Sequence, residues 1–288
     1  MKIFIITDLE GVSGINGRQA DEVGNKIINA DVSSRLLTEE VNAVVEGLID
    51  AGANEVHVWD GHGGSNSISV ENLHESADLF ISGGGLAPVT YINSSYDAAI
   101  QVGSHAMMGV ADGFMNHTFN SHAVVNMWLN GEAIGEIGIV GLQCAYFGVP
   151  TILVSGDAAA CREADQFFGK VETVETKKAF SRYTVQNYNP TRIHRILKEG
   201  AKKALLSKDS FPLKTINASL ELKIQLMCPN MADNYEKAGA KRLDSCTVLL
   251  LDRDFLDLWA QRNGWAPGVH NKKFNIKSCM LKNEINLN

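Results

Sequence analysis

Residues 38–64, TEEVNAVVEGLIDAGANEVHVWDGHGG, read as a helix followed by a strand. Within residues 38–51, Val41, Val44, Val45 and Leu48 recur at helical spacing and form one apolar stripe. Thr38 stands where an N-cap is favoured, and Gly52 follows the last turn, where a left-handed cap is easiest. EVHVW (55–59) is short, β-branched and aromatic, as strands are. Upstream, Ile3 to Thr7 is a continuous apolar run, the pattern of a strand buried on both faces. Strand, helix and strand at this spacing make a βαβ unit, and with it a parallel sheet.

The same grammar continues downstream. Asp78 to Ile81 and Ala98 to Val102 are further short strands. Asn130-Gly131 between apolar flanks predicts a hairpin over Asn126 to Ile134. Ile134 to Phe147 reads as a helix, Pro150 to Ser155 as a buried strand, and Gly156-Asp157 as the opening of a helix through Phe168. Residues 1–165 are therefore expected to form an α/β part with a mostly parallel sheet and flanking helices. The pattern then changes. Val171 to Lys178, Ala218 to Met227 and Thr247 to Leu251 read as strands, and Pro190 to Leu206 as a basic helix with proline at its start. This predicts a smaller α+β lobe over 166–270, followed by a Lys- and Asn-rich polar tail over 271–288.

Bulk properties narrow the class. With 45% hydrophobic and 20% charged residues, the 288-residue chain has the composition of a soluble globular protein. A formal net charge of -7 argues against a nucleic-acid partner, because no global positive field draws phosphates in. No apolar stretch is long enough to span a bilayer, so no membrane partner is expected. The opening MKIFIITDLEG has too short an apolar run for a signal peptide. Five scattered cysteines without a CxxC pair suit the reduced thiols of a cytoplasmic protein.

Five residues carry the chemistry: Asp8, Glu10, His62, His105 and Glu136. Each is expected where a strand ends or a helix begins. In TDLEG (7–11), Asp8 and Glu10 lie two apart at a strand end, so both carboxylates can face one way. Open α/β sheets bind ligands at such strand ends. Two acids this close repel unless a cation lies between them. In DGHGG (60–64), His62 follows the next strand, and Asp60 could orient an imidazole. His105, in GSHA (103–106), follows a third strand. Glu136, in IGEIG (134–138), is the only acid between Glu132 and Asp157, set in an apolar run where a carboxylate needs a partner. MNHTFNSH (115–122) adds His117 and His122, of which His117 is the stronger candidate for proton transfer. Each motif alone also fits a solvated turn or helix start. No Walker motif, GxSxG elbow or dinucleotide fingerprint competes, and the GGG at 83–85 lacks the rest of one.

In order and spacing, TDLEG, DGHGG, GSHA, NHT and GEIG over residues 1–160 resemble the zinc D-aminopeptidases of the DppA type. The second half is similar in its order of elements. The resemblance implies two Zn²⁺ ions per subunit. It implies Asp8 as the bridging ligand, with Glu10, His62, His105 and Glu136 completing the two coordination shells, and His117 as the catalytic histidine. It also implies a homo-oligomer, a decameric ring enclosing a chamber. The chain departs from the family pattern at Ile6, where serine is common, and in the residues around His62 and His117. The expected function is a binuclear zinc aminopeptidase cleaving peptide or amide bonds, with D-stereospecificity implied by the resemblance alone. A zinc amidase on another small amide, a binuclear phosphoesterase and a non-catalytic metal- or small-ligand-binding protein remain open alternatives.

Overall fold

The computed structural model describes residues 1–21, 24–27, 30–63, 66–81, 91–215 and 219–264. The expected polar tail and the glycines at 83–85 lie outside the described residues.

Strand β1 (Lys2–Thr7) is followed by a small antiparallel pair, β2 (Gly17–Asp21) and β3 (Gly24–Ile27). Then come α1 (Ala30–Asp50), β4 (Glu55–Asp60), β5 (Ala77–Ile81) and β6 (Ala98–Ser104). A hairpin follows, β7 (Val124–Leu129) and β8 (Glu132–Ala133), and then α2 (Glu136–Tyr146). Strand β9 (Thr151–Asp157), α3 (Ala158–Phe168), β10 (Glu172–Ser181), β11 (Thr184–Asn187) and α4 (Pro190–Leu206) continue the chain. The described part closes with β12 (Leu220–Leu226), α5 (Pro229–Lys237), β13 (Lys241–Arg242), β14 (Thr247–Asp252) and α6 (Phe255–Asn263).

The main sheet has the order β11-β10-β9-β6-β1-β4-β5. All its pairings are parallel except β10 with β11 at one edge. The continuous apolar run predicted for β1 has its physical cause here. Ile5 sits between Val58 of β4 and Ile100 of β6, and helices cover both faces. The stripe of α1 (Leu37, Val41, Val44, Val45, Leu48) joins Ile193, Leu197 and Ala201 of α4 in the core beneath the sheet. After β1 the chain builds outward through β4 and β5, then returns to the other side of β1 with β6. The strand order therefore reverses at the β1–β6 boundary, and a crevice opens beyond the carboxyl ends of those two strands.

Two expectations are corrected. Thr38 is not an N-cap: α1 begins at Ala30, and Leu36 and Leu37 extend the buried stripe upstream. Thr38 lies inside the helix, where its hydroxyl donates to Ser34 O at 2.7 Å and accepts from Ser69 N–H at 2.9 Å. The predicted helix opening at Gly156-Asp157 belongs to β9, and α3 starts one residue later. Asp157 is its N-cap, accepting from Ala160 N–H at 2.9 Å.

The second sheet is antiparallel, in the order β13-β14-β12-β7-β8. Its β7–β8 hairpin turns at Asn130 and Gly131, whose φ values of +52° and +86° suit the predicted Asn-Gly turn. The chain crosses between the two sheets. Strands β7 and β8 come from the first half, whereas β10, β11 and α4 return to the main sheet. A cut at residue 165 therefore does not separate the sheets. Among the described residues, no helix is long and apolar enough to cross a membrane.

Candidate metal centre

The residues singled out in the sequence converge on the crevice. Asp8 and Glu10 follow β1, His62 follows β4, His105 follows β6, and Glu136 is the first residue of α2. The β1 and β6 ends are pressed together. Asp8 N–H donates to Val102 O, and Gly11 N–H to Gly103 O, both at 2.8 Å. A Cβ at Gly11 would overlap the Ser104 carbonyl, and one at Gly103 the Asp8 carbonyl. Only glycines permit this approach, which brings Asp8 Oδ2 to 3.2 Å from His105 Nε2.

Asp8 lies between two imidazoles, because its Oδ1 is also 2.9 Å from His62 Nδ1. His62 Nδ1 lies 3.2 Å from Glu10 Oε2 as well. On the other side, Glu136 Oε1 is 3.3 Å from His105 Nε2 and 3.9 Å from His117 Nε2. The His105 and His117 rings stack, with centroids 4.0 Å apart. Main-chain oxygens fix both rings. His105 Nδ1 bonds Ala106 O at 2.9 Å and His117 Nδ1 bonds Met115 O at 3.0 Å, which turns each Nε2 into the crevice. The loop that presents His117 holds Met115 and Phe119 at positive φ, +47° and +60°. Met115 N–H, bonded to Arg182 O at 2.9 Å, anchors it.

The electrostatics follow from this packing. Burial by itself would raise the Glu10 carboxyl, but His62, with His105 and His117, holds it well below the usual range. Burial opposes protonation of His62, yet Glu10 and Asp8 outweigh it and push the imidazole up to about 11. His105 behaves alike: burial opposes its proton, and Asp8 and Glu136 raise it well above the ordinary value. Burial raises Glu136, while His105 and His117 bring it below the ordinary value.

These donors suit a cation. Glu10 Oε2 and His105 Nε2 are buried with charged neighbours at 3.2–3.3 Å but make no well-formed hydrogen bond among the described residues. Two groups of side chains bring ligand atoms within 4.8 Å of one another: Asp8, Glu10 and His105, and His105, His117 and Glu136. His62 adjoins the first through Asp8 and Glu10. Carboxylate oxygens mixed with imidazole nitrogens are a zinc-type set.

A family model described as D-aminopeptidase (Peptidase_M55) matches residues 1–262. The chain belongs to this D-aminopeptidase family. A D-aminopeptidase of Bacillus subtilis (strain 168) is 30% identical to it over 212 residues, 73% of this chain and 75% of the relative. Among solved structures it is similar to the Zn-dependent D-aminopeptidase DppA from Bacillus subtilis, described as a self-compartmentalizing protease. That match has a TM-score of 0.83 and 27% identity, over 91% of this chain and 95% of the other. The mixed α/β fold, parallel in its main sheet, is thus the fold of this D-aminopeptidase family.

Other histidines stand apart. His57, within β4, bonds Tyr96 Oη at 2.6 Å and packs edge-on against Phe80. His74 accepts Ser76 N–H at 3.1 Å on the surface. Asp60 accepts Ser67 N–H at 2.6 Å and Ile68 N–H at 3.2 Å, which ties down the far end of the His62 loop.

Sequence reasoning missed three buried supports. Lys177 Nζ donates to Glu10 O at 2.8 Å and to Ile15 O at 3.0 Å. Its neighbour Thr176 donates to the carbonyl oxygens of Gly11 and Gly156. Glu163 accepts Met107 N–H at 2.7 Å, just beyond His105. The only sequence signal was Lys177's place in an alternating strand, where its polar type argues for the outer face.

Proposed function

We propose that this protein is a zinc-dependent aminopeptidase that removes an N-terminal D-residue from a short peptide. The observation that carries the reading is the convergence of Asp8, Glu10, His62, His105 and Glu136 on one crevice, where Glu10 Oε2 and His105 Nε2 are buried among opposite charges without a well-formed hydrogen bond. These five would hold two zinc ions per subunit, with Asp8, which touches both His62 and His105, as the bridging ligand. When bound, zinc supplies Lewis-acid polarisation of a carbonyl and lowers the pKa of water towards neutrality.

The chain's own residues supply the rest. His117 keeps Nδ1 on the Met115 carbonyl, so Nε2 is the atom free to carry a proton to the leaving amine. Glu136 Oε1 lies 3.9 Å from that nitrogen, on the side of the metal centre. Zinc and D-residues in this chain are supported by its relatives in Bacillus subtilis, a D-aminopeptidase and a Zn-dependent D-aminopeptidase of known structure. The self-compartmentalizing character of the structural relative supports a homo-oligomer, for which we propose a decameric ring, and the scattered cysteines without a CxxC pair support the cytoplasmic location we propose.

Hydrolysis of D-Ala-D-Ala and L-Ala-L-Ala by zinc-loaded protein, with a chelated control, tests the reading. Zinc-dependent cleavage of the D-form alone is expected. Cleavage of neither, with the protein folded and zinc bound, removes the substrate assignment and turns attention to other amides and phosphoesters. Metal analysis of the loaded protein should give two zinc ions per subunit, and light scattering should report ten subunits.

A further inference from the structure

The loop that carries His117 runs on into a cavity. Phe119 donates its main-chain N–H to Glu136 Oε1 at 2.6 Å, so the cavity wall begins at a carboxylate of the metal centre. The cavity holds about 450 Å³, and Phe119, Tyr235 and Arg262 are among its walls. None of the described residues that line it is acidic.

Among the described residues lining this cavity, Arg262 is the one with a charged side chain. Its guanidinium lies over two aromatic rings, 4.8 Å from the Phe119 centroid and 5.0 Å from that of Trp259. Nη1 donates to Asn263 Oδ1 at 2.8 Å. Nε is buried and has no hydrogen-bond partner among the described residues. A guanidinium stays charged at any working pH, and its fork matches a carboxylate in a bidentate pair. Burying one without an anion is costly. Two stacked rings fix its plane and leave the edge available. Burial weakens the hold of Arg262 on its proton, while Tyr235 and Glu136 act the other way, so the site acid lies within electrostatic range.

We propose that Arg262 receives the free carboxylate of the residue immediately after the scissile bond, which makes the centre selective for dipeptides. The inference rests on the aminopeptidase reading above. One residue links the two places: Phe119 donates its N–H to Glu136 Oε1, and the Arg262 guanidinium lies over the Phe119 ring. In an extended chain the residue after a scissile carbonyl spans only roughly 3.5 Å. A longer peptide or an amidated one would bring a neutral group to a half-buried positive charge whose Nε has no acceptor among the described residues.

The test compares D-Ala-D-Ala with D-Ala-D-alaninamide, which has the same scissile bond and lacks the carboxylate. Wild-type zinc-loaded enzyme is expected to prefer the free dipeptide. Arg262→Met is expected to lose roughly 10- to 100-fold more kcat/KM on the dipeptide than on its amide, mostly through KM. Arg262→Lys keeps a point charge without the fork and should fall between the two. Equal losses on both substrates, at unchanged zinc content, would make Arg262 a packing residue and overturn the proposal. A wild-type enzyme indifferent to the carboxylate overturns it even where the variants fail to fold. Wild-type enzyme that cleaves neither substrate brings down the aminopeptidase reading first, and this inference with it.

Discussion

The Lys177 ammonium donates to the main-chain carbonyl of Glu10 at 2.8 Å, so a side chain of β10 grips the backbone of a residue at the metal centre. The same ammonium reaches Ile15 O at 3.0 Å and lies 4.6 Å from the Phe114 ring centroid. It is fully buried, and burial draws its pKa down to about 7 against the opposing pull of Glu40, Asp157 and Glu10. Lys177→Met would leave two buried carbonyls without this donor. The expected cost is about 2–5 kcal/mol in urea unfolding of zinc-loaded protein. Zinc affinity should fall too, because the Glu10 backbone is released. A cost below about 1 kcal/mol would mean that the carbonyls find other donors.

Glu40 gives a pH signature that does not come from the metal-centre side chains. It is fully buried and accepts Ser13 N–H at 2.7 Å. Burial lifts its carboxyl from 4.5 to about 7, with the Ser13 bond and Lys177 acting against the rise. The folded state therefore holds this proton more tightly than the unfolded chain does. The stability it contributes is complete below about pH 4.5 and is lost as pH rises through about 7. The loss is on the order of 3 kcal/mol. Glu40→Gln stays neutral, so its stability relative to wild type should climb across that window. Denaturation at matched pH values checks this, and parallel pH curves would refute it.

The candidate site was more legible in the sequence than its support. Asp8, Glu10, His62 and His105 each follow a strand whose apolar run is plain, and parallel strands share one carboxyl edge. Their meeting point is thus set by local pattern plus a topological rule. Lys177 and Lys178 show the limit. The side-chain period of two sends adjacent residues to opposite faces, and nothing local says which lysine goes inward. The buried one is chosen by the carbonyls of Glu10 and Ile15, more than 160 residues away in sequence. Strand β7 was legible as half of a hairpin, yet its sheet was not, because its partner β12 is far along the chain. The start of α1 was read at Thr38 because its residue type favours an N-cap, whereas the helix begins at Ala30 and buries Ser33 and Thr38.

Gly103 carries a constraint that no other residue meets. Its φ is +78°, and a Cβ would overlap the Asp8 carbonyl. Gly103→Ala meets the left-handed penalty of about 1–2 kcal/mol before the overlap is counted. The end of β1 would have to move away from β6, taking Asp8 from His105. The variant should lose at least about 3 kcal/mol of stability and bind zinc more weakly. Thermal unfolding and metal analysis read the two effects separately. Normal zinc content would show that the approach of the two strand ends is dispensable.

His117 should separate metal binding from turnover. Its ring is fixed by Met115 O and stacked on His105, with Nε2 3.9 Å from Glu136 Oε1. His117→Ala removes the proton carrier and leaves Asp8, Glu10, His62, His105 and Glu136 in place. Turnover of a D-dipeptide should fall by roughly 10²- to 10⁴-fold with zinc content unchanged. Loss of zinc in the variant would instead assign His117 to the metal, alongside His105 and Glu136.

Metal removal should loosen the crevice without unfolding the chain. The core beneath the main sheet is built from Ile3, Ile5, Val44, Leu48 and Ile100, and includes none of the metal-centre residues. Without a cation, His62 and His105 still form ion pairs with Asp8, Glu10 and Glu136, leaving one negative charge in excess. Chelated protein is therefore expected to stay folded at 25 °C with a lower thermal midpoint. Zinc at about a thousand times its dissociation constant restores roughly 4 kcal/mol. Asp8 touches both imidazoles, so Asp8→Asn should shrink this zinc-dependent shift more than Glu136→Gln, whose parent carboxylate lies on one side of the cluster. Equal shifts in the two variants would remove Asp8 from the centre of the site, and with it the case for a shared ligand.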